Sequence, residues 1–148
     1  MRHCIILLAG LSILVLACSS VFAEGAGIEW DILIEEVKEL YRTGKYARGV
    51  VVAKKALEVA EENVGPYHHD VATSLSNLAL LYYAQGHYSQ AEPLNKRALK
   101  IYEKALGSGH PSVATSLENL TGLYRATNRD KEAEPLEERA ARIRGIKR

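Results

Sequence analysis

Cysteine is almost missing from the chain. The two present, Cys4 and Cys18, both stand in its first 18 residues. A domain that begins after them has no disulfide, no thiol nucleophile and no cysteine-ligated metal, so its stability must come from packing. An excess of either charge is missing too. The 19 lysines and arginines nearly balance 18 aspartates and glutamates, for a formal net charge of +1. That near-neutrality argues against nucleic-acid binding, which usually demands a broad basic surface. No serine sits in a nucleophile elbow. Gly107-Ser108-Gly109 has too few glycines, and no lysine, for a phosphate loop. The chain is therefore read as a non-enzyme with no catalytic residue and no cofactor.

The one long apolar run is Cys4 to Ala17, preceded by Arg2. At about 14 residues it is short for a bilayer span, which needs about 20. With Val21-Phe22-Ala23 before Glu24, it fits a secretory signal peptide over residues 1–23. The alternative is a lipoprotein signal over 1–17. In that reading Val15-Leu16-Ala17-Cys18 is a bacterial lipobox and an acylated Cys18 tethers the domain to a membrane. Export, periplasmic or secreted, is expected in the first case and a membrane-anchored lipoprotein in the second. Residues 24–28 read as a linker.

From residue 29 onward the chain is periodic. Val71-Ala-Thr-Ser-Leu75 returns as Val113-Ala-Thr-Ser-Leu117, and Ala91-Glu-Pro-Leu94 as Ala133-Glu-Pro-Leu136. Both recur 42 residues later, and such a fixed period marks a repeat architecture. Three units result, at about 29–69, 70–111 and 112–148, each reading as a helical pair. Leu33, Val37 and Leu40 stripe the first helix. Val71, Leu75, Leu78, Ala79 and Tyr82 stripe the third, and Val113, Leu117, Leu120, Thr121 and Tyr124 the fifth. The second helices turn Val52, Ala53, Ala56, Val59 and Ala60 inward in unit one. Ala91, Leu94, Ala98 and Ile101 do so in unit two, and Ala133, Leu136, Ala140 and Ile143 in unit three. Gly44, Gly86 and Asn128 occupy the left-handed positions that end the first helices. Asp70 is expected to cap the third helix, and Pro111 suits the first turn of the fifth.

Four histidines, His68, His69, His87 and His110, raise a metal site. His68 and His110 hold equivalent loop positions a whole repeat apart, and the adjacent pair His68-His69 lacks the one-turn spacing of helix-borne ligands. Loop packing or hydrogen bonding at helix starts explains them better, and no metal is expected. Asn119-Leu120-Thr121 spells a glycosylation acceptor, but it lies within a helix whose next residues are core.

The loop Gly107-x-x-His110-Pro111, the helix text Val113 to Leu117, Asn119-Leu120, Ala133-Glu-Pro-Leu136 and Arg139-Ala140 resemble the tetratricopeptide repeat, in its long, kinesin-light-chain-like form. The resemblance implies an all-α solenoid of about three helix-turn-helix units covering residues 29–148. There are departures. Glu36 replaces the leucine of Leu78 and Leu120, and Gly49 replaces the alanine of Ala91 and Ala133. Asn95 and Glu137 stand where the family usually packs an aromatic.

The resemblance also implies a concave groove, lined by the first helix of each unit, that receives a peptide or protein segment. Its candidates are Lys38, Tyr41 and Arg42 in unit one. Unit two supplies Thr73, Ser76, Asn77, Leu80 and Tyr83, and unit three Thr115, Glu118, Asn119, Gly122 and Arg125. Asn77 and Asn119 either hold a peptide backbone or bond a neighbouring loop. Tyr41, Tyr83 and Arg125 are the stronger candidates for a ligand face. The expected role is an exported protein-interaction scaffold. The alternatives are a lipid-anchored envelope assembly factor, or a self-associating module that stacks its acidic start (Glu29 to Glu39) on its basic end (Arg139 to Arg148).

Overall fold

A computed structural model of the chain describes residues 27–145. The signal segment, Cys18, the start of the expected linker and the terminal Lys147 and Arg148 lie outside the described residues. Among the described residues there are six helices and no strand. They are α1 (27–42), α2 (Tyr46–Val64), α3 (His69–Ala84), α4 (Tyr88–Leu106), α5 (Pro111–Ala126) and α6 (Asp130–Ile143). The helix α1 already includes residues 27 and 28, so the last part of the expected linker is helical. From α2 onward each helix packs on its sequence neighbours, and α3 also meets α5. This is the expected all-α stack of three hairpins. No helix among the described residues is long and apolar enough to cross a membrane.

The turn inside each hairpin is one structure built three times. Gly44 N–H donates to the Tyr41 carbonyl at 3.1 Å, and Lys45 N–H to the Leu40 carbonyl at 2.8 Å. Gly86 and His87 make the same pair of bonds to Tyr83 and Tyr82, and Asn128 and Arg129 to Arg125 and Tyr124. This double bond satisfies carbonyls that a helix end leaves unpaired, and it requires a left-handed residue. Gly44, Gly86 and Asn128 take φ of 71°, 76° and 58°. Asparagine tolerates that region better than any residue except glycine, so the third unit turns as tightly as the others.

One helix start differs from expectation. Asp70 does not cap α3, because the helix begins one residue earlier and Asp70 lies inside its first turn. The cap is His68, whose Nδ1 accepts from the Asp70 backbone N–H at 3.3 Å. His110 does the same for α5, accepting from Ser112 N–H at 3.2 Å. The imidazole reaches a free N–H of the first turn, as the side-chain oxygens of ordinary caps do. Pro111 follows as the first helical residue, where a missing N–H is harmless.

The core along the stack consists of three clusters of buried residues, with the half-buried Leu94 packed against all three. Leu75, Leu81, Leu117 and Leu123 are fully buried, and the small Ala53, Ala91, Ala98 and Ala133 let neighbouring helices approach. Each buried leucine contributes about 1.5–3 kcal/mol. Tyr82, Val52, Leu94, Leu136 and Ile143 face inward as expected and pack against the core while remaining half-buried. In α1 the buried set is Ile34, Val37 and Leu40, with Leu33 only half-buried. Trp30 supplies the rest of the contact, donating its indole N–H to Ser74 Oγ at 2.8 Å and so pinning α1 to α3.

Candidate functional site

Nine of the groove candidates come together. Between α3 and α5 runs a cleft with two adjoining hollows that share Leu80 and Asn119. One hollow, of about 280 Å³, is walled by Thr73, Ser76 and Asn77 on α3 and by Thr115 on α5. The other, of about 170 Å³, is walled by Tyr83 on α3 and by Glu118 and Gly122 on α5. Helical geometry explains the grouping. Residues 73, 76, 77, 80 and 83 follow three- and four-residue steps, which place them on one face of α3 while Val71, Leu75 and Leu78 face the core. The 42-residue period then repeats that face on α5.

Four candidates do not line these hollows. Lys38 is paired with Glu35 at 2.6 Å and Arg42 with Glu39 at 2.8 Å, both along α1. The Tyr41 ring packs against that of Tyr46, with centroids 5.6 Å apart. Arg125 turns toward α6 and bonds the Glu137 carboxylate. No side-chain bond ties Asn77 or Asn119 to a neighbouring loop among the described residues, and both amides face the cleft.

The floor comes from α4 and was not foreseen. Asn95 and Tyr102, seven residues apart on one face, are 3% and 8% exposed and reach into the two hollows. Tyr102 shares a 2.9 Å hydrogen bond with Thr73 Oγ1. Burial pushes its phenol pKa up, against the opposing pull of the bond to Thr73. The sequence signal for this floor is divergence between units at inward positions. Position 95 reads Ala53, Asn95 and Glu137 through the three repeats, and position 102 reads Ala60, Tyr102 and Arg144. Residues that only fill the core do not need to vary so widely.

The rim is charged but internally matched. Arg144, from the end of α6, donates to both Glu118 oxygens at 2.6 and 2.8 Å and to Thr115 Oγ1 at 3.0 Å. Hydrogen bonding to that guanidinium holds the Glu118 carboxyl below its ordinary range. Glu118 is the one ionisable carboxylate or base among the residues walling the two hollows, and it is already neutralised. Away from the cleft, His68, His69 and Asp70 bring their ligand atoms within 4.8 Å of one another. The Nδ1 of His68 is occupied there by helix capping.

Comparisons with known proteins agree with this architecture. The sequence profile described as tetratricopeptide repeat matches residues 40–104 and 90–145. The chain resembles the crystal structure of BtubC (BKLC) from P. vanneervenii, with TM-score 0.74 and 26% identity over 78% of this chain and 46% of that one. It also resembles a Podospora anserina protein described as a putative kinesin light chain with nearly identical TPR-like repeats, with TM-score 0.71 and 24% identity. That match covers 78% of this chain and 55% of that one. The chain thus spans about half the length of both proteins. No curated protein sequence matches it.

Proposed function

We propose, for a chain that belongs to the tetratricopeptide repeat family, that it is an exported scaffold holding an extended segment of a partner protein in the α3–α5 cleft. Repeats of this family suggest protein–protein interaction in general. The cleft is the observation that carries the finer reading. It is concave and continuous, and its walls alternate amides and hydroxyls with the apolar surfaces of Leu80 and Tyr83. Such a surface can pair with backbone N–H and C=O groups while leaving pockets for side chains. Export rests on the pattern of residues 1–23, with lipidation at Cys18 as its variant. Mass spectrometry of the mature protein distinguishes a terminus at Glu24 from an acylated Cys18.

The groove reading is tested by selecting peptides from a random 12-residue display library on the protein and measuring their affinity for variants. Asn77→Ala with Asn119→Ala should weaken the selected peptides about tenfold or more while leaving the helical circular-dichroism signal intact. Unchanged affinity would place the binding surface elsewhere.

A further inference from the structure

The smaller hollow has a feature that peptide holding alone does not require. Asn95 is 3% exposed, lies at the floor, and its Oδ1 has no hydrogen-bond partner. A buried amide oxygen left unpaired is costly, and such groups are rare in native interiors. The space of the hollow that Asn95 lines arises from a second departure. Gly122 holds on α5 the position that Leu80 holds on α3, and a Cβ built at Gly122 would meet nothing within 4 Å. A glycine inside a helix is unfavourable, and its backbone here is not left-handed. Conformation therefore does not require it. The missing side chain leaves the hollow open.

Resting on the groove reading above, we infer that this hollow is a specificity pocket for a side-chain carboxamide, asparagine or glutamine, of the bound segment. Size permits it, since about 170 Å³ is comparable with a cavity that accepts benzene. Chemistry selects it. An aliphatic side chain would leave the buried Oδ1 without a donor. A lysine or a carboxylate would need a counter-charge, and the one charged wall residue, Glu118, is held by Arg144. A carboxamide returns a donor to the Asn95 oxygen and an acceptor to its amide N–H, so both halves of the buried group are satisfied. The pocket belongs to the middle repeat alone, because its counterparts at Ala53 and Glu137 offer no uncharged amide.

The test uses amide-labelled protein titrated with N-acetyl-glutaminamide and, separately, with the leucine, glutamate and lysine analogues. Saturable shifts of the Asn95 side-chain and Gly122 backbone resonances are expected with the glutamine compound, about tenfold tighter than with the leucine one. Asn95→Leu should abolish them while raising the melting temperature, because it removes the unpaired oxygen. Gly122→Leu should also abolish them by filling the space, leaving Asn95 in place and keeping the test open if the first variant misfolds. Equal binding of the leucine analogue, or glutamine binding that survives in Gly122→Leu, would overturn the inference. The groove reading is judged separately: display-selected peptides that still bind Gly122→Leu through Asn77 and Asn119 would leave it standing while the pocket falls.

Discussion

His110 holds one of the first-turn N–H groups of α5 through Nδ1, and no carboxylate shares the task. Replacing it with alanine should lower stability by about 0.5–2 kcal/mol, the usual cost of a lost cap, measurable by urea denaturation. No change in the midpoint would mean that water satisfies that N–H equally well. Gly49 sets two effects against each other. Alanine would gain about 1 kcal/mol in helix propensity. Its Cβ, however, would stand 2.7 Å from Leu81 Cδ2, and Leu81 is fully buried. Overpacking in a filled core costs about 1–3 kcal/mol, so Gly49→Ala should be destabilising on balance. A higher melting temperature would show that Leu81 has room to move. Gly49 was visible in the sequence as a departure from the repeat, and loop packing or hydrogen bonding at a helix start was expected of His110, but only the structure shows what each one touches.

Between elements, a cluster of charged groups joins α4 to the α5–α6 turn. Arg129 donates to Glu92 at 2.6 Å and lies over the Tyr124 ring at 4.1 Å, while Lys96 bonds the same carboxylate at 2.6 Å. Hydrogen bonding to Arg129, then to Lys96, lowers the Glu92 pKa from 4.5 to about 2. A depressed carboxylate stabilises the fold fully above its unfolded value. That stability is lost as pH falls from 4.5 toward about 2. The contribution is about 1 kcal/mol, since the cluster is partly solvated. Glu92→Gln should flatten this part of the acid-unfolding curve; a curve of unchanged slope would assign acid sensitivity to other carboxylates. This contact was not legible from the sequence, because it joins residues 37 apart on surfaces that look merely hydrophilic. The elements themselves were legible. Leu75 and Leu117, or Gly44, Gly86 and Asn128, announce helix faces and ends through local rules of period and conformation. Asp70 misled because aspartate is the commoner cap, and a histidine just upstream took that role.

At the scale of the whole molecule, most of the charges noted at the two ends that fall among the described residues are matched within the chain. Glu35 and Glu39 pair along α1, while Arg139 bonds Glu103 and Arg144 bonds Glu118. The buried side-chain polar atoms left without a hydrogen-bond partner among the described residues, Ser76 Oγ and Asn95 Oδ1, belong to residues that line the α3–α5 cleft. The walls of that cleft could be read from the repeat, since first-helix positions repeat every 42 residues. Its floor was not foreseen, because Asn95 and Tyr102 lie on a helix expected only to pack, and divergence between the units was the one signal that marked them. The decisive experiment is to map a display-selected peptide onto the protein by backbone-amide NMR. The largest shifts are expected at residues 73–83 and 115–122, with smaller ones at 95 and 102. Shifts confined to α1, to the outer face of α6 or to the inter-repeat loops would contradict a partner-binding role for the cleft.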